Sequence, residues 1–506
     1  MEHIVCGSIP PVATNTIIMS RTNNTRQAAW IAIGSLFSFG FGIISSMILS
    51  RYFDKADYGT YRQVIYVYNT LLAVFTLGLP RAYSYFLPRV SNNEAKSVIN
   101  KINILFFVLG GLFSFLLYFG SEYIASFLKN SELELSLKIF SPVPLLMLPT
   151  MGLEAILATY QKSHFLALYN VITRSTMLIC VTVPIIFWNG GYIEAIYGFT
   201  LASFISFVIA LYLKYLPIKQ FTKAPTSISY KNIFDFSLPL LYASLWGMII
   251  KSADQFFISR YYGNEVFADF SNGALELPFI GMIIGACSTV LSPIFSKLQH
   301  QQADAKKEFY PIWISVFKKS AMLIYPILLF CCFFSDIMMI LLYGEKYATS
   351  YIYFCIISIA NFFTIIAYAP LIVNIGKVRL YSNVHMFSAI ILITLEYVVV
   401  QMNLPAFYIA IVSTICHLGR IFTMLYVVSK FFELKIIQLF PINTLVKIIL
   451  PSIIILFFIR LILLELCISN IMVFIIGGII YVLAFIVLAK FLNLDYVSII
   501  KPLIKR

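Results

Sequence analysis

The stretch SRYFDKADYGTY at residues 50–61 is repeated in altered form as SRYYGNEVFADF at residues 259–270. Both begin with Ser-Arg-Tyr, and aromatic residues follow at matching positions, as at Tyr58 and Phe267. Each stretch follows a long apolar run and precedes another one. A connector that occurs twice in the same context predicts that the chain consists of two halves with the same plan.

The composition indicates a polytopic membrane protein. Of 506 residues, 60% are hydrophobic, 16% are aromatic and only 11% are charged, and the mean hydropathy is +0.89. A soluble domain of this length needs far more charged surface. The formal net charge of +14 would suit nucleic-acid binding in a soluble protein. Here membrane topology accounts for that charge, and no nucleic-acid partner is expected.

The chain contains about fourteen apolar segments, each close to the ~20 residues that cross a bilayer as a helix. The runs are continuous rather than alternating, and only helices satisfy their backbone within one segment, so an all-α fold is predicted. The predicted spans are 28–50, 60–86, 101–121, 137–160, 165–188, 192–213, 233–258, 266–296, 317–341, 350–373, 380–400, 404–429, 445–466 and 470–490.

The distribution of positive charge predicts the orientation. With the N-terminus in the cytoplasm, roughly 25 Lys and Arg residues fall on the inner side and roughly 7 on the outer side, as the positive-inside rule requires. Both termini are therefore predicted to be cytoplasmic. The connecting loops are short, so no separate soluble domain is expected.

Two weaker repeats support the same register. Residues 93–96 (NEAK) correspond to residues 303–306 (ADAK), and residues 161–164 correspond to residues 376–379. Similarity by chance between membrane loops is the alternative. An even number of spans per half predicts two lobes related by an axis along the membrane normal. The predicted division is a cytoplasmic tail (1–25), an N-lobe with helices 1–6 (26–214), a C-lobe with helices 7–12 (215–430), and two extra helices with a cytoplasmic C-terminal tail (431–506).

Several segments resemble the polysaccharide transporter family. They are ILSRYFDKADYGTYRQV, TLGLPRAYSYFLPR, FSLPLLYASLWGMIIKSADQFFISRYYGNEVFADFSNGALELP, TVLSPIFSKL and LLYGEKY. This family includes the Wzx-type O-antigen and capsule flippases and lies within the multidrug/oligosaccharidyl-lipid/polysaccharide exporter superfamily. The resemblance covers most of residues 25–430.

The resemblance implies a flippase of the bacterial inner membrane. It would move undecaprenyl-diphosphate-linked sugar repeat units from the cytoplasmic to the periplasmic leaflet, for lipopolysaccharide O-antigen, capsule or other surface polysaccharide. It implies two lobes around a cavity that opens to each side in turn. Membrane lipids, a polysaccharide polymerase and a chain-length regulator are the further partners that such a function implies.

A carrier of this kind needs a wet cavity lined by cations, because buried hydroxyls and phosphates without partners cost much free energy. Intramembrane charges usually face a bundle interior, and arginine binds phosphate with a planar fork of donors. Arg174 and Arg420 are expected in the inner half, one in each lobe. The predicted substrate-binding residues are Arg174, Arg420, Arg81, Lys251 and His417.

Other interpretations of these residues remain open. Arg174 is alternatively a structural partner of Glu154, and Arg81 an interfacial side chain that reaches towards water. Lys251, Asp254 and Glu276 are expected in the outer half, either as gating and ion-coupling groups or as a neutralised structural trio. Glu154 is a further gating or ion-coupling candidate. Arg460 is expected to form an interfacial anchor with Glu465.

Enzymatic function is not expected. The sequence has no Walker A motif, no H-E-x-x-H motif and no clustered cysteine or histidine ligands, so neither a cofactor nor a metal is predicted. A membrane polymerase of sugar repeat units is one alternative, although such enzymes usually carry a long periplasmic loop. A multidrug or cation antiporter of the same superfamily is another, although antiporters of this type favour carboxylate-rich cavities.

Overall fold

The computed structural model describes residues 21–466, 468–494 and 496, and these residues form helices without strands. The predicted N-terminal tail lies outside the described residues as far as residue 20, and the end of the predicted C-terminal tail lies outside them from residue 497. The helices are α1 (Arg21–Tyr52), α2 (Lys55–Phe75), α3 (Pro80–Phe86), α4 (Asn92–Phe119), α5 (Ser121–Leu128), α6 (Glu132–Phe140), α7 (Pro142–Met147), α8 (Leu153–Thr159), α9 (Ser163–Trp188), α10 (Tyr192–Tyr215), α11 (Tyr230–Tyr261), α12 (Gly263–Gly273), α13 (Pro278–His300), α14 (Tyr310–Phe333), α15 (Ser335–Tyr343), α16 (Ser350–Thr364), α17 (Tyr368–Asn374), α18 (Val378–Gln401), α19 (Phe407–Phe432), α20 (Ile442–Glu465) and α21 (Asn470–Phe491).

Many of these helices are long and apolar enough to cross a membrane. Within the described part of the chain there are 10 such spans, or up to 12 if each of two bent helix pairs is one span. The prediction of an all-α polytopic membrane protein is therefore confirmed. Helix α1 and the broken pair α12–α13 occupy the first and eighth predicted segments, and the total of about fourteen stays a prediction.

Breaks in the spans occur where the sequence carries glycine or proline. Between α2 and α3, Gly78 has a φ of +70° and Pro80 begins the next helix. A Cβ atom at Gly78 would lie 2.9 Å from the carbonyl oxygen of Ser237 in α11, so a glycine is needed for this close approach as well as for the turn. The predicted span 60–86 is therefore broken just before Arg81, and the break brings α11 against the second span.

Helix pairing follows the same order in both halves of the chain. In the first half, α1 packs on α9 and α9 packs on α10. At the corresponding places in the second half, α11 packs on α18 and α18 packs on α19. The last two helices pack on each other, and α20 also packs on α14. This order of contacts is what two halves with one plan require.

The two repeated connectors contact each other. The ammonium group of Lys55 lies 2.9 Å from a carboxylate oxygen of Asp269. Close by, the Tyr58 hydroxyl donates a buried hydrogen bond of 2.9 Å to the side-chain oxygen of Asn272. Helix α2 thereby packs along α12, at the end of the molecule where the sequence predicts the outer side.

Gly59 sets the distance between these two helices. A Cβ atom built on Gly59 would lie 2.0 Å from the carbonyl oxygen of Asn264. No side chain fits into that space, so the backbones of the two connectors are in direct contact. Small residues allow this kind of close helix approach in membrane proteins, where apolar side chains gain little from leaving lipid.

The segment that joins α10 to α11 is attached to α4. The Ser97 hydroxyl donates to the carbonyl oxygen of Ala224, and the Ala224 amide donates to the carbonyl oxygen of Asn93 at 3.2 Å. Further along the segment, the Lys101 ammonium group donates to the carbonyl oxygen of Ile228 at 2.7 Å. The covalent link between the two halves is therefore bound to the first half almost up to the start of α11.

Gly59→Ala is expected to destabilise the protein by about 1–3 kcal/mol, because the new methyl group overpacks the α2–α12 contact. The measurement is thermal unfolding of the purified protein in detergent. Gly111→Ala in α4 is the matched control, since a Cβ atom there meets nothing within 4 Å. Alanine is the better helix former, so the control should keep or raise the melting temperature. An equal response of both variants would show that the helices are not in direct backbone contact.

Candidate functional site

A cavity of about 720 Å³ brings together five of the eight predicted site residues. Its walls come mainly from α11, α13, α16, α18 and α19, and Phe39 of α1 also borders it. The predicted residues that line it are Lys251, Asp254, Glu276, His417 and Arg420, and the other polar lining residues include Gln255, Asn361, Thr364, Ser388, Ser413 and Thr414.

A second space of about 520 Å³ adjoins this cavity and reaches the first half of the chain. The two spaces share Lys251 and Gln255, and the second one is also lined by Tyr66, Asn69 and Thr70 of α2. Lys251 therefore stands at the border between the two spaces, where α11 faces α2.

Lys251 forms a salt bridge with Glu276. The two charged atoms are 2.7 Å apart, and the side chains are 72% and 76% exposed. Ion pairs as exposed as this one contribute about 0–1 kcal/mol. A ligand of either charge can therefore compete for one of the partners at little cost, which suits a cavity that binds and releases its ligand.

Asp254 does not pair with Lys251 but faces Glu396 of α18. Glu396 is fully buried, and among the described residues no hydrogen-bond donor reaches its two carboxylate oxygens or Oδ1 of Asp254. Ser413 also lies against Asp254. Two adjacent carboxylates in a buried site repel each other when both are ionised, so the arrangement favours a shared proton or a bound cation.

Glu396 was missed by the sequence reasoning, which examined basic residues within spans more closely than acidic ones. The signal was an ionisable side chain within the predicted span 380–400, four residues before its end. No group of three or more His, Cys, Asp or Glu side chains that could hold a metal ion occurs in the part of the chain that the structure describes.

Arg420 is a cation without an acidic partner. Its Nε atom is buried and has no hydrogen-bond acceptor, and none of the salt bridges found among the described residues involves it. His417 lies one helical turn earlier on α19 and lines the same cavity. His385 and Tyr381 of α18 lie within electrostatic reach of the guanidinium group. This corner of the cavity can accept an anion.

Arg174 lies in a different space from Arg420. It lines a cavity of about 150 Å³ together with Arg62, Ser45 and Ser46. Because α1 packs along α9, Arg174 faces the space between α1, α2 and α9. The expected meeting of Arg174 and Arg420 in one cavity is therefore not formed in this structure.

The remaining residues and pairs from the sequence analysis also lie elsewhere than expected. Glu154 is exposed on α8 and forms no salt bridge with Arg174 in the described part of the protein. Arg81 is exposed at the start of α3 and does not line the 720 Å³ cavity. Arg460 pairs with Asp336 of α15 at 2.6 Å, so the expected anchor with Glu465 was wrong.

Lys214 is a buried lysine that the sequence analysis did not single out. It lies near the end of α10, and its side chain is fully buried. Its ammonium group donates to the side-chain oxygen of Asn103 at 3.0 Å and lies 4.9 Å from the centre of the Tyr83 ring. The contacts join α3, α4 and α10 at the end of the first half.

Comparison with known proteins assigns the chain to a family. Residues 48–352 match the family described as "Polysaccharide biosynthesis protein". The chain belongs to this family. The matched region begins at the first repeated connector and ends in α16, so it includes Lys251, Asp254 and Glu276 but not Glu396 or Arg420.

Solved structures of transporters share the fold of this family member. The lipid II flippase MurJ in an inward closed conformation matches with a TM-score of 0.72 at 17% identity, over 92% of this chain and 99% of that chain. A multidrug resistance MATE family transporter of the MOP superfamily, inward-facing, matches with a TM-score of 0.62 at 13% identity, over 80% and 99% of the two chains. The family match confirms the expected relationship to polysaccharide biosynthesis proteins, and these solved structures show a shared fold.

A curated relative comes from an archaeon. It is an uncharacterized membrane protein of Methanocaldococcus jannaschii, 22% identical over 349 residues, which are 64% of this chain and 68% of that protein. This similarity supports a multi-pass membrane protein.

Asp254→Asn and Glu396→Gln are expected to remove a dependence of thermal stability on pH and sodium. In the unaltered protein, raising the pH strips the shared proton and lowers the melting temperature, and added Na⁺ offsets the loss by binding between the carboxylates. Each amide variant leaves one carboxylate with an amide donor, so its melting temperature should change little with pH or Na⁺. Melting curves in detergent at several pH values, with Na⁺ or with a bulky organic cation, measure this.

The control for this pair is Glu265→Gln, which removes an exposed carboxylate of α12. Its melting temperature should depend on pH and Na⁺ in the same way as that of the unaltered protein. If the unaltered protein melts at the same temperature under all these conditions, the two carboxylates share neither a proton nor a cation.

Proposed function

We propose that this protein is a flippase for lipid-linked oligosaccharides. It moves undecaprenyl-diphosphate-linked sugar repeat units from the cytoplasmic to the periplasmic leaflet of a bacterial inner membrane, for O-antigen, capsule or another surface polysaccharide. The observation that carries the proposal is a cavity of about 720 Å³ in a member of the polysaccharide biosynthesis family, lined by Arg420, whose buried Nε atom finds no acceptor among the described residues. The lipid II flippase MurJ shares the fold.

The diphosphate group is bound by the cations of the cavity. Arg420 offers a planar set of donors that matches phosphate oxygens, and none of the salt bridges among the described residues involves it. His417 adds a donor on the same face of α19. Lys251 becomes available when its exposed pair with Glu276 opens. In this mechanism the protein changes no covalent bond of the substrate.

The sugar hydroxyls are bound by the uncharged polar side chains. Asn361, Thr364 and Ser388 line the 720 Å³ cavity, and Asn69 and Thr70 line the adjoining space of about 520 Å³. Sites for drug-sized ligands typically have volumes of about 300–1,000 Å³, so the two spaces together accommodate several sugar rings. The prenyl chain is too long and too apolar for these spaces and stays in the bilayer.

Transport then requires that the N-lobe (26–214) and the C-lobe (215–430) rock against each other. The α2–α12 contact with Lys55–Asp269 closes one end of the space between them. The approach of Gly78, which lies in the break of the second span, to Ser237 is another contact between the lobes. A proton or cation at Asp254 and Glu396 provides the differential binding that biases one state over the other. Arg174 with Arg62 supplies cations of the N-lobe when the spaces join.

One observation favours a second function, the export of cationic compounds by an antiporter. The buried pair Asp254 and Glu396 provides negative charge in the cavity wall, and a multidrug transporter shares the fold. Arg420 in the same cavity disfavours a cationic ligand, so the flippase is the better supported proposal.

Arg420→Ala and Arg174→Ala are expected to impair flipping while leaving expression and folding intact. Hydrogen bonds to charged groups contribute about 1.5–3 kcal/mol, so the loss of Arg420 should slow transport by about tenfold or more. The assay uses proteoliposomes with a short-chain polyprenyl-diphosphate oligosaccharide and a membrane-impermeant enzyme outside that modifies exposed sugars.

Arg379→Ala is the control for this assay, because Arg379 is exposed at the start of α18 and does not line the 720 Å³ cavity. It should transport normally. Normal transport by Arg420→Ala would contradict the cavity assignment. Uptake of a cationic dye without any exposure of lipid-linked sugar would instead support the antiporter.

A further inference from the structure

A cleft of about 650 Å³ lies at the end of α19, outside the transport cavity. Three lysines line it: Lys306 before α14, Lys430 in the last turn of α19, and Lys435 just after that helix. We name this feature the lysine cleft. The remaining lining residues are Tyr426, Ser429, Glu433, Leu434, Ile436 and Gln438.

The lysine cleft carries a net positive charge. All three lysines are exposed, and none takes part in a salt bridge found among the described residues. Glu433 is the acidic residue of the lining, so three cations face one anion. The nearby Asp304 carboxylate instead accepts hydrogen bonds from the backbone amides of Lys306 and Lys307, at 2.9 and 2.8 Å.

Apolar surface leads from the lysine cleft along the membrane-spanning part of α19. Phe422, Tyr426 and Lys430 follow each other at intervals of four residues and therefore share one face of the helix. Phe422 is 39% exposed and Tyr426 is 51% exposed, and the Lys430 ammonium group lies 5.4 Å from the centre of the Tyr426 ring. The cleft thus sits where an apolar helix face meets a cluster of cations.

We propose that the lysine cleft binds the phosphate headgroup of an anionic phospholipid, whose acyl chains lie along Phe422 and Tyr426. Basic pockets at the ends of membrane helices recognise such headgroups. A soluble phosphate compound shares the headgroup chemistry, but it would make no use of the apolar face that begins at the rim of the cleft. The bound lipid fixes the end of α19, the helix that carries Arg420 and His417.

The proposal is tested by lipid binding to the purified full-length protein in detergent. Phosphatidylglycerol, phosphatidylcholine and inorganic phosphate are titrated separately, and bound lipid is counted by native mass spectrometry while the melting temperature is recorded. The variant is Lys306→Gln with Lys430→Gln and Lys435→Gln. We expect its affinity for phosphatidylglycerol to fall by at least about tenfold, since each lysine near an anionic headgroup contributes to binding.

The control removes three exposed lysines around the start of α11, as Lys219→Gln with Lys223→Gln and Lys231→Gln. It changes the net charge equally and should bind phosphatidylglycerol like the unaltered protein. An equal loss in the control would overturn the proposal in favour of unspecific surface attraction. Saturation by inorganic phosphate at the affinity of the lipid would overturn it in favour of a soluble ligand.

Two single variants separate loss of binding from loss of folding. Lys430→Arg keeps the charge and the contact with the Tyr426 ring, so it should bind phosphatidylglycerol within about twofold of the unaltered protein. Lys430→Glu reverses the charge at the same exposed position and should weaken binding most of the single changes. If both single variants bind equally well, the cleft does not hold the headgroup.

Discussion

The backbone contact between Gly59 and Asn264 is the constraint on which the arrangement of the two halves depends. Within a bilayer, apolar surfaces gain little by leaving lipid for protein, so helices associate through close packing and polar pairs. The α2–α12 contact has both, since the Lys55–Asp269 salt bridge lies beside the close approach. The space of about 520 Å³ lies further along, between α2 and α11.

Much of the fold could be predicted because each membrane helix corresponds to one continuous apolar segment of the sequence. The segments expected at 165–188 and 470–490 correspond to Ser163–Trp188 and Asn470–Phe491, since turn and charged residues mark their ends. The predicted eighth segment is less regular: it divides at residues 274–277 into two helices. Leu277-Pro278 marks that break, but hydropathy alone does not distinguish a bent span from a straight one.

The candidate site was predictable in its residues but not in its pairings. Five predicted side chains do line one cavity, because a charge within a membrane span has few places to lie except the bundle interior. Spacing along one helix suggested that Lys251 faces Asp254. Lys251 instead pairs with Glu276, which lies just before α13. Asp254 instead faces Glu396 of α18. Contacts between distant helices depend on their rotation, which a single sequence does not specify.

In the proposed rocking of the two lobes, the attachment of the α10–α11 segment to α4 provides the pivot. With Lys101 holding the carbonyl of Ile228, the free part of the link is reduced to the residues at the very start of α11. Lys251 lies 21 positions after Tyr230 in α11, which bends by 43° between Tyr242 and Ser244, so the two residues are about 29 Å apart at 1.5 Å per residue. A rotation of about 10° at the pivot displaces Lys251 by about 5 Å on this geometry. A small angular change at the edge of the membrane is therefore enough to open or close a site near the opposite end of the helix.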